Sequence, residues 1–141
     1  MELVRLAGPE PPPEMAELRA QADREGYRAL ARIVREWASF GPEDASGTLL
    51  GLRSDGLLVA VGGITPDPGD PGLRRMRRFY VHPDHRLLGH GRSLAQAILA
   101  TTDAPVVVRA PDARAAAFWE RLGFEPDPGL GRTHRLPLRR I

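Results

Sequence analysis

The stretch Phe79-Tyr80-Val81-His82-Pro83-Asp84-His85-Arg86-Leu87-Leu88-Gly89-His90-Gly91-Arg92 joins a strand-like run, Leu73 to Val81, to a helical one, Arg92 to Thr101, through a proline bend and a glycine turn. Glycines at such a junction let the backbone approach a ligand closely. A helix that begins there turns its unpaired N–H groups and the positive end of its dipole toward an anion. A pyrophosphate fits that description, and so does a plain strand-to-helix turn that merely needs glycine. A dinucleotide fingerprint would continue with a third glycine and an acidic residue about 20 positions on. Leu94 occupies the first of those places and Asp103 comes too early for the second, which argues against a dinucleotide.

Working outward, Thr65 to Gly72 holds three prolines and two glycines and reads as a loop. Before it, Thr48 to Leu52 and Leu57 to Thr65 flank a turn at Ser54-Asp55-Gly56, the pattern of a hairpin. Glu2 to Ala7 reads as a first strand, stopped by Pro9 and the prolines from 11 to 13. From Pro13 to Phe40 the apolar residues Met15, Leu18, Leu30, Ile33, Val34 and Trp37 recur at three- and four-residue steps around Gly26, predicting two consecutive helices. After the junction, Leu94, Ala95, Ile98 and Leu99 mark one helix face. Pro105 to Arg109 is a short β-branched strand, Asp112 can cap a helix from Ala113 to about Leu122, and Phe124 starts a hairpin reaching Leu138. The order is β, α, α, β, β, β, α, β, α, β, β.

The composition bounds the chemistry. With 141 residues there is material for one domain, 1–141, and not for two independent cores. No apolar run approaches the roughly 20 residues of a membrane helix, so no membrane partner is expected. Met1 to Pro13 carries charges and four prolines where a secretory leader needs an apolar core, and there is no cysteine; a cytoplasmic protein is expected. All 20 basic residues are arginine, and without lysine neither a Walker P-loop nor a Schiff-base enzyme can operate. Residues 1–72 hold 7 Arg against 12 acids and residues 73–141 hold 13 Arg against 6, so the halves carry −5 and +7. An anionic ligand therefore belongs on the second half. Nucleic acid is not the expected partner: the total charge is only +2, aromatics make up 6%, and the helix Arg92 to Thr101 has one arginine where a recognition helix would carry several. His82, His85 and His90 with Asp84 could suggest a metal. The last two histidines bracket the glycine turn, however, and no thiol or H-E-x-x-H helix supports one, so no metal is expected and these histidines read as surface residues near the anion.

Arg86-Leu87-Leu88-Gly89-His90-Gly91 resembles the acetyl-CoA signature of the GNAT family of N-acetyltransferases, Gln/Arg-x-x-Gly-x-Gly/Ala. Phe79 to His85 looks like that family's strand and proline bend, and Asp112-x-x-Ala115-x-x-Phe118-Trp119-x-x-x-Gly123-Phe124 resembles its second motif. The resemblance implies an α/β (α+β) fold of three layers, with a mixed, mostly antiparallel central sheet splayed after the fourth strand and helices on both faces. It implies acetyl-CoA or coenzyme A as cofactor. Backbone groups of Phe79, Tyr80 and Val81 would pair with the pantetheine, and Arg86, Leu87, Leu88, Gly89, His90, Gly91 and Arg92 would surround the pyrophosphate. Asp112, Phe118 and Trp119 would line the arm. An amine would attack the acetyl carbon directly, which agrees with a chain that lacks cysteine and lysine. The expected acceptor is a small-molecule amine, and the family would also allow a homodimer.

Three positions depart from the family pattern. Trp119 stands where many relatives have a tyrosine acid, and an indole N–H cannot serve as one, which leaves water or Tyr80 to supply the proton. Arg75 stands where relatives often have a glutamate base. Glu43, Asp44 and His134 are the remaining candidates for that base, and the residues do not select among them. Strand alternation places Arg75, Arg77, Phe79 and Val81 on one face. Arg75 or Arg77 would then grip a carboxylate or phosphate of the acceptor, or else pair with acids of the first half. Leu87 replaces a frequent glycine, implying that this turn residue needs no left-handed conformation. A relative that binds acyl-CoA as a sensor or interaction domain without turnover is the alternative reading.

Overall fold

The computed structural model describes residues 1–7, 9–33, 35–37 and 47–137. Among the described residues seven strands form one sheet: β1 (Glu2–Arg5), β2 (Thr48–Ser54), β3 (Leu57–Asp67), β4 (Asp70–Val81), β5 (Val106–Val108), β6 (Glu125–Gly129) and β7 (Arg132–Leu136), in the order β1-β2-β3-β4-β5-β7-β6. Every neighbouring pair is antiparallel except β4 and β5. The β2–β3 hairpin turns on Asp55 and Gly56, both at positive φ (52° and 78°), a conformation for which Asp-Gly is favoured.

The predicted loop at 65–72 is corrected, because β3 and β4 run through it to a tight turn at Pro68-Gly69. The Asp67 and Asp70 carboxylates accept the N–H groups of Gly69 and Gly72 at 3.1 and 2.9 Å, closing it. The prolines are tolerated because β2 ends opposite Ile64, before Pro66, and β5 pairs only from Arg74 onward, after Pro71.

Helix α1 (Glu14–Arg24) covers one face, burying Met15, Leu18 and Ala22 with Leu49, Leu58, Val61 and Tyr80 of the sheet. Gly26, at φ +82°, ends it, with the Tyr27 N–H returning to the Ala22 carbonyl at 2.9 Å. The expected second helix is a five-residue 3₁₀ turn, Arg28–Arg32, followed by Ile33. Leu30 and Ile33, both fully buried, stand three apart, the spacing of a 3₁₀ turn; the part of that expectation over 38–40 lies outside the described residues. Helices α2 (His90–Leu99) and α3 (Ala113–Arg121) cover the other face, where Leu94, Ala95, Ile98, Leu99 and Trp119 pack on Leu50, Ala60, Ile64, Met76 and Val106. Among the described residues no helix is long and apolar enough to cross a membrane.

Candidate active site

The site is built on β4, which shifts its alternation by one residue. Its register against β3 runs Ile64↔Met76 and Gly63↔Arg77, then resumes at Val61↔Tyr80, so β4 carries one extra residue. That bulge falls at Arg78, whose φ is +54°; a left-handed non-glycine residue costs about 1–2 kcal/mol. Glu36 holds it, accepting from Arg78 Nε and Nη2 at 2.6 Å each. The same guanidinium keeps the Glu36 carboxyl below its usual range. Beyond the bulge, Phe79 and Val81 pack with Met76 against α2 and α3, whereas Tyr80 enters the core under α1. The expected shared face is therefore corrected. Arg75 and Arg77, opposite Thr65 and Gly63, lie on the Tyr80 face, away from Phe79 and Val81.

β4 pairs with β5 at Arg74↔Val106 and Arg75↔Val107 only. From Met76 to Val81 its outer edge diverges from β5, which is the splay. The wall on the α2 and α3 face is aromatic: Phe79 lies 5.5 Å from Phe118 and 4.9 Å from Trp119, ring centre to ring centre, and Trp119 lies 5.2 Å from Phe124. Trp119 is core, 4% exposed. A Cβ on Gly62 would stand 2.7 Å from the Phe79 ring and 2.8 Å from Ile98 Cδ1, so glycine there makes room for the ring. Asp112 caps α3, its carboxylate accepting the Ala115 N–H at 2.8 Å.

The glycine turn enters α2 through Gly89 at φ +83°, with no side-chain cap and no acid in the first turn, so the first N–H groups of the helix lack intrahelical acceptors. A Cβ on Gly91 would meet Val81 Cγ2 at 3.3 Å and Phe118 at 3.4 Å, which ties this helix start to the end of β4 and to the aromatic wall. Leu87 sits at φ +64° and is 92% exposed; the expectation that it needs no left-handed conformation is overturned. Arg86 is engaged with protein. It donates from Nε to the Val81 carbonyl at 2.9 Å, from Nη1 and Nη2 to both Glu25 oxygens at 2.9 and 2.7 Å, and lies 5.4 Å over the Tyr80 ring. The His85 and His90 rings stand 5.4 Å apart, each with a buried Nδ1 that has no hydrogen-bond partner. Burial and the charge of His85 lower the His90 pKa. Among the described residues no three His, Asp or Glu side chains gather as metal ligands.

The Tyr80 hydroxyl donates to Glu25, and its ring stacks on Tyr27 at 5.4 Å. Burial and that hydrogen bond raise the phenol pKa. Arg75 is bound to Asp67, with Nε at 2.8 Å and Nη2 at 2.7 Å from Oδ1, and donates to the Leu130 and Gly131 carbonyls of the β6–β7 turn. Arg77 donates from Nε to Thr65 Oγ1 at 2.7 Å. His134, on β7, is buried, with Nε2 2.7 Å from Glu120 and Nδ1 2.7 Å from Thr133 Oγ1. Glu43 and Asp44 lie outside the described residues. Sequence reasoning missed Glu25, Glu36, Thr65, Asp67 and Glu120, the partners that orient these side chains. The opposite charges of the two halves pointed toward Glu25, Glu36 and Asp67, whereas Thr65 carries no charge and Glu120 lies in the second half, so nothing in the sequence pointed to those two.

A mixed sheet that opens beside a glycine-built anion cradle defines a class of fold suited to a long ligand with a diphosphate at one end and its reactive group at the other. Residues 12–124 match the acetyltransferase (GNAT) family, and the chain belongs to that family. No curated protein matches the chain by sequence. Among solved structures, it is similar to an Exiguobacterium sp. 255-15 protein described as an acetyltransferase, at 25% identity over 97% of this chain and 94% of that one, with a TM-score of 0.81. The fold is shared with the Escherichia coli ribosomal-protein-S18-alanine N-acetyltransferase, at 22% identity over 76% and 77% with a TM-score of 0.58. It is shared too with the Thermoplasma acidophilum PaiA N-acetyltransferase solved in complex with coenzyme A, at 19% identity over 84% and 76% with a TM-score of 0.52. The cofactor of the family is acetyl-CoA. The residues here fit it, since the uncapped α2 start offers its N–H groups to an anion and Gly91 lets that helix start stand close against Val81 and Phe118.

Proposed function

We propose that the protein is a cytoplasmic N-acetyltransferase that moves the acetyl group of acetyl-CoA to a small-molecule amine bearing a carboxylate or phosphate. The observation that carries this reading is the opening beside β4, which has an anion cradle and an aromatic wall on one face and arginines on the other. Acetyl-CoA, when bound, supplies an activated acetyl thioester. The amides from Leu87 to Arg92 bind the diphosphate, the free edge of β4 from Phe79 to Val81 orients the arm, and Phe118 and Trp119 exclude water from it. The amine comes from the α1 face and must give up a proton before it can attack. Glu43 and His134 are the candidate bases and Tyr80 the candidate acid. His134 would have to exchange its Glu120 partner, and Tyr80 would donate while held by Glu25.

The occupied Tyr80 hydroxyl and the buried Trp119 favour, as a second reading, a protein that binds acyl-CoA without turning it over. A calorimetric titration with acetyl-CoA, followed by free-thiol release with a panel of amines, separates the two. Binding near micromolar, about −8 kcal/mol, is expected, lost in Gly91→Glu, whose side chain would fill the cradle, and accompanied by thiol release. Binding without release from any amine would favour the sensor. No binding by the folded protein would overturn both.

A further inference from the structure

We infer that Arg77 reads the acceptor and that it takes one carboxylate, which makes the substrate an amino carboxylic acid. This deepens the acetyl-transfer reading above and rests on it. Three neighbouring arginines of β4 share the face opposite the aromatic wall, and β3 and Glu36 treat them differently. Arg75 has the Asp67 carboxylate as counter-ion, and Arg78 has the Glu36 carboxylate in a two-pronged pair. Arg77 has a hydroxyl. Thr65, itself 6% exposed, accepts from Nε at 2.7 Å and so fixes the guanidinium by one edge. Among the described residues no acceptor meets Nη1 or Nη2, and no carboxylate is paired with the ion.

A guanidinium held by one edge presents its remaining N–H groups as a planar fork, the geometry that a carboxylate accepts bidentately. The contrast within β3 makes the point. Asp67, two residues from Thr65 on the same face, neutralises its arginine, whereas Thr65 only aims one. Burial and the charges of Arg78 and Arg75 all disfavour the Arg77 cation, with Glu36 and Asp67 opposing them from outside hydrogen-bond contact. A partly buried cation without a counter-ion is unfavourable until one arrives. Asp67 and Glu36 already serve Arg75 and Arg78, so among the described residues Arg77 is the one of the three with a counter-ion place to fill, and a single carboxylate fills it. The position suits an acceptor as well: Arg77 is next to the bulge and two residues beyond the last registered β4–β5 pair, at the start of the opening.

The test is thiol release by the full chain with glycine, β-alanine and the protein amino acids, each compared with its carboxamide. Wild type is expected to favour acids over carboxamides by about 10- to 100-fold in kcat/KM, the worth of a charge-assisted pair. In Arg77→Gln that ratio should fall close to one, with the larger loss on the acids, and Arg77→Lys, which keeps the charge and loses the fork, should be intermediate. Equal losses on acids and carboxamides, or no preference in wild type, would overturn the assignment; so would a preference for aminoalkyl phosphonates over carboxylates. If no amine releases thiol, the acetyl-transfer reading fails separately, and Arg77 is judged by calorimetry of the same pairs on CoA-saturated protein. Tighter binding of acids that Arg77→Gln abolishes upholds it, and indifference to the carboxylate refutes it.

Discussion

Leu87 holds a left-handed backbone at φ +64° with a side chain that is almost wholly in solvent. It pays the steric cost of that region, about 1–2 kcal/mol, without packing in return. Leu87→Gly removes the clash and adds back some unfolded-state entropy, about 0.5–1 kcal/mol. The expected net effect is a gain of up to about 1 kcal/mol in denaturant midpoint stability; a loss larger than that would mean the leucine side chain has a role in the folded protein. The need for φ > 0 was not legible because sequence shows residue type and not backbone angle, and Leu is an unusual occupant of that region. The motif itself was legible from Gly89 and Gly91, where chemistry and backbone agree. Trp119 was also readable as core from its place on the apolar face of α3.

At the level of elements, strand and helix order was visible because apolar spacing reports burial directly. Which face each β4 residue occupies was not, since the one-residue bulge at Arg78 inverts the alternation. Nothing local marks it: it rests on Glu36, 42 residues away in sequence. The second helix was over-extended because residues three and four apart fit an α-helix and a 3₁₀ turn alike. Gly62 shows how tightly β3 meets β4 and α2. Gly62→Ala is expected to cost about 1–3 kcal/mol by overpacking against Phe79 and Ile98, read as a lower thermal midpoint; an unchanged midpoint would mean the wall repacks freely. Glu25 joins the end of α1 to the cofactor turn. Its hydrogen bonds from Arg86 hold its carboxyl below the ordinary value, as Arg78 does for Glu36. A depressed carboxyl stabilises the fold fully above the unfolded value and loses that contribution as protons bind. The thermal midpoint should therefore hold steady down to about pH 5 on account of these two groups and fall below about pH 4.3. Glu25→Gln should lower it at neutral pH and flatten that acid slope; an unaltered slope would remove Glu25 from the account.

For the whole molecule, the opposed charges of the two halves are in part a fitting together of the chain with itself. Asp67, Glu36 and Glu25 from the first half neutralise Arg75, Arg78 and Arg86 from the second, which takes up three of the seven surplus positive charges. Ligand binding should register globally: at a concentration 100 times its Kd, acetyl-CoA is expected to stabilise the fold by about 2.7 kcal/mol. A thermal midpoint that does not move would count against binding to the native state.

The two-pair join between β4 and β5 has a mechanical consequence. The sheet is two stiff plates, β1 to β4 and β5 with β7 and β6, fastened at one end of a seam, so the chain's easiest breathing mode is a widening of that seam rather than a fraying of either plate. A ligand lying along it would act as a second fastener. Amide exchange at Val108, which pairs with β7 and has no registered β4 partner, should then slow on adding acetyl-CoA far more than at Leu50 to Leu52, deep inside the first plate, whose protection is already set by two strand neighbours.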